Sequence, residues 1–166
     1  MIKTKRLKVL PFENTYTEAY YRGFDADITK YQYPEPFKSL EEAKVFLQGF
    51  REDMEKSEML FYVILDSEEE FVGSVEVHGL QDEMPELGIW IVKQQQGKGY
   101  AYEALRAVVD YVNGKYGKKK FFYEADVRNV GSRKLLHKFQ YEEKDVDKFT
   151  TESGKYLELL GAILEV

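Results

Sequence analysis

The sequence predicts one domain of the α/β class (α+β), with elements in the order β-α-α-β-β-β-α-β-α-β-β. Three observations predict it. The chain has 166 residues, a length that suits a single domain able to bury about two-thirds of its unfolded surface. Its hydrophobic content of 43% and charged content of 33% are those expected of a soluble globular protein. Short β-branched and aromatic runs trade places with stretches of helical apolar period, and no linker, low-complexity tract or repeat interrupts them.

The start, MIKTKRLKVLPF, lacks an apolar core long enough for a secretory signal. Its RLKVLPF portion alternates and reads as the first strand. Residues 14–23, NTYTEAYYRG, form a short helix with Asn14 as its expected cap and Gly23 at its end. YQYPEPF, 31–37, must be loop because its two prolines forbid regular structure. In SLEEAKVFLQGFREDMEK the capping box Ser39-x-x-Glu42 opens a helix that sets Leu40, Ala43, Phe46, Leu47 and Phe50 on one face.

MLFYVIL and FVGSVEV are β-rich runs on either side of the acidic turn DSEEE, and PELGIWIV follows as another strand. Ala101, Leu105, Val108 and Val112 share a face, so 99–116 is a helix. KFFYEADV is a strand, and NVGSRKLLHKFQY is a helix capped by Asn129. Two closing strands, EKDVDKFTT and KYLELLGAILEV, meet at a tight turn around Ser153 and Gly154.

Composition removes several function classes. Cysteine is absent, which excludes disulfides, thiolate metal sites and a cysteine nucleophile. His78 and His137 are too far apart to show metal-ligand spacing, and no metal is expected. A net charge of −6 and a pI near 5.1 argue against a nucleic-acid partner. The one basic run, KYGKKK at 115–120, is expected as a solvated helix end, where lysines favour the negative pole of the dipole. No apolar run approaches the ~18 residues of a membrane span, so no membrane partner is expected and the location is expected to be cytoplasmic. A second copy of the chain stays open as a partner.

The stretch QQQGKGYA, 94–101, places two glycines between a strand and a helix. Such a loop makes an anion site, because its N–H groups converge with the positive end of the helix dipole. A dinucleotide fingerprint would need a third glycine at Tyr102, and a phosphate loop ending in Lys-Ser/Thr is absent. The remaining pattern is Gln-x-x-Gly-x-Gly/Ala, met by Gln94, Gly97 and Gly99. It resembles the pyrophosphate loop of the GCN5-related N-acetyltransferase superfamily. Downstream, Asn129, Ser132 and Lys138 of NVGSRKLLHKFQY are similar to that family's fourth-helix pattern, with Gln140 and Tyr141 departing from its usual glycine and phenylalanine. TKRLKVLP, YPEPFKSLEEAKVFL and PELGIWI resemble the branch that acetylates N-terminal amines of ribosomal proteins (the RimJ/RimL type).

This resemblance spans nearly the whole chain. It implies a mixed sheet of about six or seven strands flanked by about four helices, and a reaction that transfers acetyl from acetyl-CoA to a primary amine. It implies that residues 94–101 (Gln94, Gln95, Gln96, Gly97, Lys98, Gly99, Tyr100 and Ala101) hold the diphosphate, mainly through main-chain N–H groups. Backbone groups of Ile91 and Val92 would bind the pantetheine arm as an added strand, and one N–H could serve the oxyanion. Asn129 would reach the same arm. Glu86 is the first candidate base; His78 and a water relay are the others. Leu136 stands where many members have a proton-donating tyrosine, and Ser132 matches a serine that the ribosomal branch is thought to use near the sulfur. Tyr31, Tyr33 and Phe37 offer an acceptor wall, with His78 beside it, and Asp27, Glu35 and Glu83 could attract a cationic amine. A small-molecule acetyltransferase of aminoglycoside or polyamine type, and a CoA-binding module without catalysis, remain alternatives.

Overall fold

The structure, a computed structural model, describes residues 1–166. The first half of the chain contains β1 (Ile2–Lys3), β2 (Lys8–Pro11), α1 (Thr17–Gly23), α2 (Ala26–Thr29), α3 (Leu40–Glu55), β3 (Leu60–Leu65) and β4 (Phe71–His78). The second half contains β5 (Glu86–Ile91), α4 (Tyr100–Tyr116), β6 (Lys120–Asp126), α5 (Val130–Leu136), β7 (Gln140–Thr150) and β8 (Tyr156–Glu165). One eight-stranded sheet results, in the order β1-β2-β3-β4-β5-β6-β8-β7. Every neighbouring pair is antiparallel except β5 and β6. That exception follows from the chain's path, since α4 is the crossover that parallel neighbours require.

The two faces of the sheet have different cores. On one face α4 buries Ala104, Leu105, Val108, Val109 and Val112 against Val72, Val75, Val77 and Phe121. Aliphatic side chains at helical spacing meet β-branched ones on the pleat, as the apolar pattern requires. On the other face α1 and α3 cover an aromatic cluster of Phe12, Tyr20, Phe24, Phe61 and Trp90. The rings pack edge-on or tilted, with Tyr20 perpendicular to Trp90 at 5.0 Å.

Several local expectations are corrected. The first strand is two short strands folded on each other, because Thr4 and Leu7 close a turn between them. Asn14 makes no side-chain cap; it begins a 3-10 turn, and α1 starts at Thr17. The loop before 31–37 contains the additional short α2, capped by Asp25, whose carboxylate accepts from the N–H groups of Asp27 and Ile28. Ser39 does cap α3, but Glu42 reaches back to the N–H of Lys38. The helix expected through Tyr141 ends at Leu136. Phe139 ends it by turning into the core, where it packs edge-on against Tyr102 at 5.3 Å. Gln140 and Tyr141 then begin β7.

Candidate active site

β5 and β6 run side by side for two register pairs only, Glu86 with Phe122 and Leu87 with Tyr123, and then separate. A cleft of about 440 Å³ fills the gap. Ile89, Trp90 and Ile91 line one wall, while Asn129, Ser132 and Leu135 line the other. The glycine loop closes one end and Tyr31 with Gln32 the opposite one. The parting exposes backbone. Val92 donates its N–H to Val72 (2.8 Å), so the alternation of an antiparallel ladder turns the N–H and C=O groups of Ile89 and Ile91 away from β4 and into the gap.

This alternation changes the expectation for Val92. Its N–H is taken by β4 and its C=O accepts from the N–H of Gln95 at 2.9 Å, which leaves no backbone group for an arm in the cleft. Ile91 lines the cleft, and so does Ile89, not singled out in the sequence. Gln96 Nε2 donates to the Ile91 carbonyl at 2.9 Å, so one of the three glutamines fixes the strand end. Gln95 lines the cleft and accepts from Lys98 Nζ at 2.6 Å. Gln94 is exposed and, like Lys98, lies outside the cleft lining.

Gly97 and Gly99 have φ of 77° and 83°, the left-handed region that only glycine enters without strain. Gly99 is also the residue before α4, and no side chain caps that helix. The first-turn N–H groups at Tyr100, Ala101 and Tyr102 therefore face the cleft end without a side-chain acceptor, beside the positive pole of a 17-residue helix. The loop is held from behind by Arg6. Its Nη1 donates to the Lys98 carbonyl at 2.9 Å, its guanidinium lies 4.7 Å from the Tyr100 ring centre, and its ion pair with Glu103 measures 2.7 Å. Thr4 Oγ1 donates to the same carboxylate at 2.6 Å.

Across the gap, Asn129 caps α5 by accepting the Ser132 N–H on Oδ1 at 3.1 Å. The cap occupies its oxygen and leaves its amide nitrogen for the cleft. Ser132 is half-buried and lies close to the buried Tyr123 hydroxyl, whose pKa burial raises and Ser132 pulls back. Leu136 is packed in the core and carries no proton to give.

The face of β5 turned towards α1 and α3 carries Glu86, Gly88 and Trp90. Glu86 is exposed at the strand's start and pairs in register with His78. His78 is half-buried against the Phe50 ring, and its pKa is lowered by burial, with Glu86 and Asp53 acting in the opposite direction. Next to them is a carboxylate that sequence reading passed over. Glu76 is buried, burial pushes its pKa up to about 7, and a hydrogen bond from Ser74 offsets part of that rise. Glu124 is also raised, by burial first and then by Glu86 and Asp147.

Tyr31 lines the cleft with the Arg128 guanidinium 4.8 Å from its ring centre, whereas Tyr33 is 70% exposed and outside it. Two carboxylates expected to draw a cationic amine already have partners. Asp27 binds Lys93 at 2.6 Å, and Glu35 binds Lys155 and Ser153, both at 2.8 Å. Lys155 Nζ also donates to the carbonyls of Thr29 (2.7 Å) and Gln32 (2.8 Å), so the β7–β8 turn fastens the loop that carries Tyr31. Glu83 is exposed on the turn before β5.

A profile of the Acetyltransferase (GNAT) domain family matches residues 6–142. The chain belongs to the GNAT acetyltransferase family. A curated relative, the uncharacterized N-acetyltransferase p20 of Bacillus licheniformis, is 24% identical over 123 residues, 72% of this chain and 69% of that one. Among solved structures, the spermidine N-acetyltransferase of Vibrio cholerae, in complex with CoA and spermine, superposes with a TM-score of 0.83. It shares 19% identity over 98% of this chain and 96% of the other. RimL, a ribosomal L7/L12 α-N-protein acetyltransferase in complex with CoA, gives a TM-score of 0.86 and 16% identity over the same shares. These likenesses agree on the GNAT fold and divide on the acceptor. Within this GNAT domain the eight strands include one more than the expected order contained, because the first strand is doubled. No group of three or more His, Cys, Asp or Glu side chains is placed to hold a metal ion, and no helix is long and apolar enough to cross a membrane.

Proposed function

We propose that this GNAT domain transfers acetyl from acetyl-CoA directly to the N-terminal amine of a protein or peptide. The observation that carries the reading is the parted β5–β6 pair: the Ile89 N–H and C=O and the Ile91 N–H lie unpaired along one wall, and uncapped N–H groups meet the cleft at its end. An extended arm bound along β5 would be a short added strand. The loop of Gln95, Gln96, Gly97 and Gly99, with the first turn of α4, would hold the diphosphate through backbone N–H groups. Asn129 would steady the arm from α5, and an N–H of β5 would stabilise the oxyanion formed when the amine attacks the thioester carbonyl. Ser132, with Tyr123 behind it, would stand near the departing sulfur. A thiolate with pKa ~8.5 leaves without strong acid help, so Leu136 is compatible with turnover. Glu86, exposed at the start of β5, would receive the incoming ammonium. Ser132 has no partner base, which supports transfer within a ternary complex rather than through an acyl-enzyme.

A second acceptor class is favoured by one observation. Glu86 and Asp147 both lie close enough to Glu124 to raise its pKa, and such a group would hold the second ammonium of a polyamine. The deciding experiment measures CoA release with acetyl-CoA and a panel of peptides with free N-termini, polyamines and aminoglycosides. A peptide ranked first by kcat/KM supports the proposal. A polyamine ranked first replaces its acceptor, and CoA release with none of the panel removes catalysis from the reading.

A further inference from the structure

We propose that Glu76, on β4, is the general base that deprotonates the acceptor amine, reaching it across the side-chain-free surface of Gly88. The inference rests on the acetyl-transfer reading above. An arm that enters at the glycine loop and follows β5 past Ile91 and Ile89 brings its acyl end to the vertex where β5 leaves β6, just beyond Leu87. Gly88 is the next residue on the opposite face, the face from which an amine must arrive if the arm fills the gap. Glu76 is the register partner of Gly88. A Cβ placed on Gly88 would stand 2.7 Å from Glu76 Oε2. The carboxylate therefore occupies the space that any other residue at this position would fill.

The two oxygens have different surroundings. Oε1 accepts the hydroxyl of Ser74, while Oε2 takes no hydrogen bond from the protein. Glu76 keeps 7% of its surface exposed, and Gly88 puts no side chain over its Oε2. A buried carboxylate with one free oxygen is costly unless something compensates it, which makes it a candidate for a functional role. A shift to about 7 matches it to an α-amine of pKa ~7.7–8.0 better than to a lysine-like amine near ~10.4. Other titratable groups face it from each neighbouring element. Tyr20 of α1 feels its charge and His78 shares its strand and face, while Asp53 of α3 and Glu86 of β5 act on His78, and Glu86 acts on Glu124 of β6. Tyr20 remains neutral, since burial and the Glu76 charge both raise it, and it accepts from Trp90 Nε1 at 3.4 Å.

The step balances without another reagent. Ionised Glu76 takes one proton from the ammonium and later returns it to solvent. The freed nitrogen lone pair bonds to the thioester carbon, the tetrahedral oxyanion collapses, and the C–S bond breaks. The departing thiolate takes the second nitrogen-bound proton, giving the amide and CoA.

The test compares Glu76→Gln, Ser74→Ala and Glu86→Gln with wild type across pH, using the best acceptor from the panel. Glu76→Gln should lower kcat by about 10²–10⁴-fold, the usual worth of a positioned base, with acetyl-CoA affinity by calorimetry unchanged. Ser74→Ala should move the acidic limb of kcat to higher pH, because the hydrogen bond it removes holds the Glu76 pKa down. A purely structural role for Ser74 would leave that limb in place. Glu86→Gln should act chiefly on acceptor KM. Near-normal turnover of Glu76→Gln in a wild-type background that acetylates the acceptor would overturn the base and leave the acetyltransferase reading standing. A full loss in Glu86→Gln with an unmoved limb in Ser74→Ala would return the role to Glu86. Wild type that acetylates nothing would sink both proposals.

Discussion

The two ends of the cleft are built by different means. The proposed cofactor end is made of backbone from a contiguous stretch, 94–102, shaped by two glycines and a helix start. The proposed acceptor end is made of side chains, with Tyr31 and its loop fastened by Lys155 of the β7–β8 turn and by Arg128. A backbone site tolerates change in its side chains and fails when its dihedral angles change. A side-chain site behaves the other way, and it can be retuned for another amine without disturbing the donor.

The largest separation of the two ends should come from Gly99→Val. A β-branched residue held at a φ of 83° costs about 1–3 kcal/mol, and its Cβ would already sit 3.4 Å from Arg6 Nη2. Calorimetry should show acetyl-CoA binding weakened by about tenfold to a hundredfold or lost. Retained affinity would mean that side chains, not the turn, hold the donor.

Lys155→Met tests the acceptor end. It removes the donor to the Thr29 and Gln32 carbonyls and to Glu35, while its apolar stem is kept. Acceptor KM should rise about tenfold, with kcat and acetyl-CoA affinity little changed, as for a lost ground-state contact. A matching loss of acetyl-CoA affinity would show that the two ends are not independent.

Acid should treat the ends alike. Burial by itself would raise Glu103 and Asp126, yet hydrogen bonds from Thr4 and Arg6 hold the first low, and bonds from Arg128 and the Glu158 N–H hold the second low. Their folded pKa values lie below the unfolded ones. Their stabilisation is therefore present above the ordinary carboxylate value, near ~4, and is lost as pH falls through the lower folded values. Thermal midpoints should decline in that acid window, and less steeply in Asp126→Asn. An unchanged slope would remove Asp126 from the account. The smallest effect is expected of Gln95→Ala, which deletes a side chain from the loop but no N–H. Acetyl-CoA affinity should change by less than about 1 kcal/mol, the worth of an ordinary hydrogen bond, and a loss equal to that of Gly99→Val would reverse the comparison.

The same contrast explains what could be read in the chain. Gln94, Gly97 and Gly99 are neighbours in sequence, so the donor loop announces itself, and Asn129 and Ser132 are a cap motif. Glu76 was hidden by its strand. In FVGSVEV the polar residues alternate with valine, the pattern of a sheet with one solvated face. Here that face is covered by α1 and α3, and only the pairing with Gly88 shows that a carboxylate fits beneath them. Asp27 and Glu35 looked free because Lys93 and Lys155 lie far along the chain. The periodicity that gave α5 could not place its end, since Phe139 leaves the helix for a tertiary contact with Tyr102.

The parting of β5 from β6 has a mechanical meaning. Beyond Leu87 and Tyr123 the sheet is two rafts, five strands on one side and three on the other, and the polypeptide supplies no rungs between them. The α4 crossover spans them, but a crossover fixes spacing better than it fixes twist. An extended thioester arm lying in the seam would supply the missing rungs along β5. The donor would then be a removable structural member as well as a reagent, and each turnover would brace the seam before the chemistry and slacken it when CoA departs.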